Sequence, residues 1–333
     1  MGKVDNYFQA RDRGIAWLLK QQDTDGSIAK HLGIGCYYRA PWAFAVTGYD
    51  KAALRLVEWI RNHMFAANGD FVGDFSRGGY EKNYYAYPNA NLIYGAHILR
   101  QFDLSYGGMR FMLTLQDAEN GGFFNRCDEM GPTGKQEIWN TCQAGLTCLV
   151  TGHLSAAQKV GAFLKKMWEA QPEPETKLYR MFTPTQGLIT DLSSLPVGEV
   201  GEYVVDATGR RQAYFVPGIA AAFLARLYMA TGLDEHLALA ESYIQFAMRC
   251  SDDQFMRPQV GKVGWGASLL YEITKKYEYR DLAFRVGDYL LDNQFPEGYW
   301  LNVHPAIEYH NVLEVTFEFV VHMDTIGTAL TAW

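Results

Sequence analysis

Trp17-Leu18-Leu19-Lys20-Gln21-Gln22-Asp23-Thr24-Asp25-Gly26-Ser27 ends an amphipathic run on a glutamine, an acidic turn and a glycine. The same order returns in Met112-Leu113-Thr114-Leu115-Gln116-Asp117-Ala118-Glu119-Asn120-Gly121-Gly122. It returns again in Tyr289-Leu290-Leu291-Asp292-Asn293-Gln294-Phe295-Pro296-Glu297-Gly298-Tyr299-Trp300. A repeated unit of this size points to one supersecondary element used several times.

A second pattern interleaves with the first. Val46-Thr47-Gly48, Val150-Thr151-Gly152 and Ala230-Thr231-Gly232 each close an apolar run with glycine where a left-handed helix cap is needed. Two helix types therefore alternate. In one, Val160, Phe163, Leu164 and Met167 share a face that Lys159, Lys165 and Lys166 avoid. The other is apolar nearly all round, as over 219–229, and so is buried on every side. Apolar helices are predicted to begin near positions 36, 84, 138, 213, 262 and 314, six in number. The pattern predicts an all-α fold, an (α/α)6 barrel of six helical hairpins with the second helix of each pair inside; a solenoid is the alternative stacking. The expected organisation is a single domain over 1–333, with a loop inserted at the mouth at about 171–211.

Hydrophobic residues make up 48% of the chain and charged residues 20%, a globular balance. The 30 basic and 37 acidic residues leave a net charge of −7 without a basic cluster, which argues against a nucleic-acid surface. Five scattered cysteines without a CxxC pair predict no disulfide framework and a reducing compartment. The opening residues lack the apolar core of a signal peptide, no lipidation box is present, and no apolar run is long enough to span a membrane. A cytoplasmic location is the expectation. No P-loop, GxGxxG or GxSxG motif occurs, so no nucleotide cofactor is expected.

The Gln–acidic–Gly–aromatic turns resemble the QW-type repeats of the triterpene cyclase and protein prenyltransferase superfamily. That resemblance implies an α/α toroid. Its chemistry does not follow: Asp23-Thr24-Asp25-Gly26 lacks the acidic pair that completes DxDD. Asp252-Asp253 is followed by Gln-Phe-Met rather than a DDxxD ending, and the zinc set of the prenyltransferases has no match.

In such a barrel the N-terminal ends of the inner helices line the pocket. Pro41, Pro88 and Pro217 sit where a first helical turn favours proline, and each follows an aromatic pair: Tyr37–Tyr38, Tyr84–Tyr85 and Tyr214–Phe215. Trp139, Trp265 and Phe317 hold similar positions in the other three. These rings either face a ligand or seal the core between helix ends. Polar residues on the apolar helices are a sharper signal, because burial without partners is costly. Glu314, Glu318 and His322 recur every four residues and form one stripe. Glu318 and His322 are candidates to hold or move a proton, or they form a structural pair. Arg39, beside Tyr38, either binds an anionic group or lies at the surface. Glu137, Asn140 and Gln143 are further candidates, as acid and carboxamides or as satisfied core groups. Cys36 begins a helix, where a thiolate would be favoured. His97 reads as a core residue, and His304, Glu308 and His310 fit no standard zinc spacing, so no metal site is expected.

Three functions stay open. The first is a cofactor-independent isomerase, cyclase or lyase acting on a small hydrophobic natural product such as a terpenoid or polyketide. The second is a carbohydrate enzyme with paired carboxylates, Glu137 and Glu318 being the pair to test. The third is a protein that binds a small molecule without turnover. Fold alone does not choose among them.

Overall fold

The computed structural model describes residues 2–30, 33–72, 77, 79–256, 258–301 and 309–331. His304 and Glu308 lie outside the described residues, as does the side chain of His310. Helices alternate along the chain: α1 (Lys3–Leu19), α2 (Ala40–Val46), α3 (Asp50–His63), the short α4 (Gly79–Asn83), α5 (Ala86–Ile98), α6 (Phe102–Met112) and α7 (Ile138–Val150). They continue as α8 (Leu154–Glu169), α9 (Phe215–Thr231), α10 (Asp234–Arg249), α11 (Gly261–Thr274), α12 (Tyr277–Asp292) and α13 (Tyr309–Thr331). The apolar helices α2, α5, α7, α9, α11 and α13 begin within five residues of the positions their composition predicts.

Two compact units divide the chain. One comprises Met1–Asn83, Tyr87–Thr114 and Gly287–Trp333, the other Tyr84–Ala86 and Leu115–Val286. In each, the amphipathic helices bury one face. In α8 that face is Ala157, Val160, Gly161, Phe163, Leu164 and Met167, and Lys165 and Lys166 stay exposed. α9 is buried from Val216 to Ala225 without interruption. It crosses α11 at two glycines: a Cβ on Gly218 would stand 2.5 Å from the Lys262 backbone, and one on Gly266 2.6 Å from the Gly218 carbonyl. The helices meet at backbone distance because neither carries a side chain there.

The repeated glutamine turns are braces between helices. Gln22 Nε2 donates to the carbonyls of Gly26 (3.2 Å) in its own turn and Ala52 (3.0 Å) in α3. Gln116 does the same with Gly121 and Ala156, each at 3.0 Å, and Gln294 with Gly298 and Ala10, each at 2.8 Å. The last turn thus bonds back to the first helix. Gly26 has φ +93° and a Cβ there would lie 2.2 Å from the Arg55 carbonyl, so the turn needs glycine on both counts. A fourth turn of this kind, Phe65–Phe71 with Gly69 at φ +94°, has phenylalanine in place of the glutamine, which hid it in the sequence.

A second recurring contact sets the rotation of the inner helices. One backbone N–H just past each turn glycine donates to a side-chain oxygen within, or just before, an inner helix. The pairs are Ile28 to Tyr37 (3.3 Å), Phe71 to Asn89 (3.2 Å), Phe123 to Thr141 (3.0 Å) and Trp300 to Thr316 (3.1 Å). For the three anchors inside α-helices, Asn89, Thr141 and Thr316, a residue two positions away is turned by about 200° and points away from the turn, whereas Tyr37 lies in the turn that precedes α2. The positions two residues after the anchors are Arg39, Asn91, Gln143 and Glu318, polar in every case. Those two residues before are Gly35, Tyr87, Trp139 and Glu314.

Segment 171–211 is more ordered than a plain loop. It carries β2 (Lys177–Tyr179), β3 (Met181–Thr183), β4 (Gly187–Leu188) and β5 (Val204–Asp206). β3 pairs antiparallel with β4 and with β1 (Gln136–Glu137), and β2 with β5. The Glu137–Met181 register brings Arg180 to the start of α7.

Candidate functional site

In the first unit the buried polar groups converge on Arg39. Its guanidinium makes an ion pair with Glu318 Oε2 at 2.8 Å and a longer one with Glu314 Oε1 at 3.4 Å. Its Nη2 donates to the Tyr87 hydroxyl, and its Cζ lies 4.7 Å from the Tyr38 ring centroid and 5.4 Å from that of Tyr87. Tyr38 Oη donates to Glu314 Oε1. The other oxygen of Glu318, Oε1, is 3.2 Å from His322 Nε2. Arg39, Glu318 and His322 are at most 7% exposed.

Charge in this cluster is held by pairing rather than by water. Burial opposes the Arg39 charge, but Glu318 and the other groups around it outweigh that cost and leave its pKa above the ordinary arginine value. Burial pushes the Tyr38 hydroxyl well above the usual phenol range, and Tyr80 likewise. Both therefore act as neutral hydrogen-bonding groups at neutral pH. Glu81 accepts from the Gly35 N–H at 2.8 Å. Burial, then Glu314 and Glu81, raise the Cys36 thiol above its ordinary value, so the helix start does not make it a thiolate. Tyr37 is turned elsewhere: its ring stacks on Trp59 at 4.8 Å and its hydroxyl serves as the anchor for Ile28. Phe317 packs edge-on against Phe44. His97 bonds Ser105 Oγ at 3.2 Å and lies against Phe102 and Tyr106, a packing position.

The second unit holds another buried ion pair. Arg180 Nε donates to Glu137 Oε1 at 2.7 Å, and Glu137 Oε2 caps α7 by accepting from the Asn140 N–H at 2.9 Å. Arg180 Nη2 donates to the Tyr84 hydroxyl at 3.3 Å, which in turn donates to Glu202. Burial outweighs the pull of Arg180 and leaves the Glu137 pKa raised. Tyr84, Trp139 and Phe215 form a chain of edge-on rings, with centroids 4.8 and 5.3 Å apart. Arg180 and Lys262 both lie within 5.8 Å of the Phe215 centroid. Asn140 Nδ2 reaches the Phe123 and Phe124 carbonyls, while Asn140 Oδ1 and Gln143 Nε2 have no hydrogen-bond partner among the described residues. The Tyr214 hydroxyl donates to the Gly209 carbonyl and sits 3.3 Å from Asp253, and burial raises its pKa to about 12. Trp265 is buried in α11, and the Tyr85 N–H donates to the Asn125 carbonyl.

Arg180, Tyr87, Tyr80 and Lys262 were not singled out in the sequence. The anchor register would have found Tyr87, two residues before Asn89, had the turn at Gly69 been recognised. Lys262 on an apolar helix was a visible anomaly. Arg180 is reached only through the β1–β3 pairing. Among the described residues no group of three or more His, Cys, Asp or Glu side chains is placed to hold a metal ion, and no helix is long and apolar enough to cross a membrane.

No protein-family model and no curated protein matches the sequence. Solved structures do match along nearly the whole chain. A D-mannose isomerase superposes with TM-score 0.68 at 12% identity, covering 96% of each chain. A cellobiose 2-epimerase from Spirochaeta thermophila gives 0.66 at 14%, over 96% of this chain and 98% of that one. A type II terpene cyclase from Scytonema gives 0.61 at 11%, over 98% and 99%. At these identities the likeness establishes the fold: the chain is an all-α (α/α)6 toroid, as its repeats predict.

Proposed function

We propose that this toroid is an isomerase that relocates a proton within a small polyhydroxylated carbonyl compound, with Glu318 and His322 as the proton-handling pair. The observation that carries the reading is the buried Arg39–Glu318–His322 chain, which joins the start of α2 to α13. Arg39 favours the ionised form of Glu318, which suits a base that takes a proton from carbon beside a carbonyl. His322, bonded to the other oxygen of the same carboxylate, can relay that proton, and Arg39 can polarise the carbonyl as charge develops. The proton returns to a neighbouring carbon or to the other face of the same one, so the product is an isomer and no co-reactant is consumed. Tyr38, Tyr80, Tyr87 and Glu314 supply hydrogen-bonding groups in number, which suits hydroxyls better than a bare hydrocarbon. The structural likeness to an isomerase and an epimerase of sugars supports the same reading.

A second reading keeps a specific observation behind it: cyclisation of a hydrophobic natural product against the Tyr84–Trp139–Phe215 rings, in a fold shared with a terpene cyclase solved with geranylgeranyl dihydroxybenzoate. The purified protein is to be incubated separately with D-mannose, cellobiose and geranylgeranyl dihydroxybenzoate, and products followed by chromatography and mass spectrometry. The proposal expects an isomer of a sugar, with turnover reduced on the order of a hundredfold or more by Glu318→Gln. Conversion of the prenylated acid alone would move the assignment to the second reading. Binding without conversion of any of the three would leave a ligand-binding protein.

A further inference from the structure

We infer that Asn91 is a substrate-binding residue of the Arg39–Glu318 site, its Oδ1 accepting a hydrogen bond from a hydroxyl or amine of the ligand. This rests on the reading of that cluster as a small-molecule site, and deepens it by adding a residue and the polarity of the group it meets.

Three observations converge on Asn91. It is 1% exposed, on an apolar inner helix, and its Oδ1 has no hydrogen-bond partner among the described residues. The assignment of oxygen and nitrogen is not arbitrary, because the amide nitrogen must be the atom that donates to the Tyr87 carbonyl at 2.9 Å. That bond lays the side chain back along α5 toward Tyr87, whose hydroxyl accepts from Arg39. The anchor register adds the direction. Asn89 is tied to the Phe71 N–H, so Tyr87 and Asn91, two residues either side, share the opposite face. In the same unit the residues at that register on α13 are Glu314 and Glu318, and Arg39 stands two residues past Tyr37. Contacts join Arg39 to Tyr87, Glu314 and Glu318. Asn91 is the member of this set whose acceptor is left open.

A buried acceptor without a partner is a liability to the empty protein. Its chemistry also selects the ligand group. An oxygen acceptor demands a donor, so a hydroxyl or ammonium is admitted and a carboxylate or phosphate oxygen is rejected. Gln143, at the equivalent register of α7 in the other unit, leaves a donor open instead. A carboxamide with one open atom thus recurs at this register.

The test has two arms on the full chain. In the first, Asn91→Leu, close in shape and apolar, is unfolded without ligand. A ligand role expects an unfolding midpoint equal to or above that of the wild type, and a lower midpoint would show that Oδ1 serves the fold and overturn the inference. Asn91→Ala guards against a steric failure of the leucine variant and must remain folded. In the second arm D-mannose is the probe. Asn91→Leu and Asn91→Ala are expected to weaken it at least tenfold, read as KM or Kd. Unchanged affinity in both variants would overturn the inference even with stability preserved. If the wild type neither binds nor converts D-mannose, the sugar reading of the function fails, and Asn91 is then judged on the stability arm alone.

Discussion

Thr316→Val removes one oxygen and almost nothing else. Thr316 is fully buried in α13, and its Oγ accepts from the Trp300 N–H at 3.1 Å. Valine fills the same volume but leaves that N–H buried with no acceptor, a loss of about 1–3 kcal/mol. Trp300 is itself 1% exposed and its indole N–H is bound to the Leu290 carbonyl, so the segment is not free to turn its backbone toward water. The effect is read by urea unfolding as a fall in the midpoint at unchanged slope. Thr325→Val is the control. Among the described residues its hydroxyl bonds only the Val321 carbonyl one turn back, at 2.9 Å, and its loss is expected within about 0.5 kcal/mol. If Thr316→Val costs no more than Thr325→Val, the anchors do not hold the inner helices in phase, and the register argument fails with them.

Gly26→Ala is expected to destabilise by about 3 kcal/mol or more, since φ +93° is strained for any side chain and the added carbon meets the Arg55 carbonyl at 2.2 Å; thermal unfolding checks it. Asp117 is pulled toward acid below its ordinary pKa: burial works against this, but bonds from Asn120, Gln136 and the Asn120 and Glu119 N–H groups outweigh it. A carboxylate lowered in the fold contributes stability that is present above its unfolded pKa of about 3.9 and is lost as pH falls through the folded value. Asp117→Asn is therefore expected to flatten the acid limb of a stability–pH curve, and an unchanged limb would count against the assignment.

Much of the fold was legible because the signals are local. A glutamine followed by an acidic turn and a glycine needs only its own neighbours to be recognised, and each such turn proves to be a brace to the adjoining helix. The apolar helices announced themselves by lacking a polar face. The turn at Gly69 escaped because Phe65 stands where the glutamine should be. The Glu314–Glu318–His322 stripe was visible as spacing, and Arg39 as a neighbour of an aromatic pair, but their ion pair joins α13 to the start of α2 across most of the chain. Arg180 depends on a two-residue strand register that no periodicity announces. Asn91 was invisible for a different reason: an asparagine on an apolar helix matters only once its rotation is known, and Asn89 supplies that through a hydrogen bond to a distant backbone N–H. In the sequence the aromatic pairs read as rings, whereas Tyr38, Tyr84 and Tyr87 all take part through their hydroxyls.

The central claim is that the Arg39–Glu318–His322 cluster moves a proton on and off carbon. It is tested most directly by incubating the protein with D-mannose in D2O and following the proton on the carbon beside the carbonyl by NMR. The account predicts that the wild-type protein removes this proton and brings solvent deuterium in at the same carbon or, where the carbonyl moves, at the neighbouring one, with exchange slowed on the order of a hundredfold or more in Glu318→Gln, which keeps the shape and removes the charge. A wild type that converts the sugar without deuterium entering, or a folded Glu318→Gln that exchanges at the wild-type rate, would contradict it.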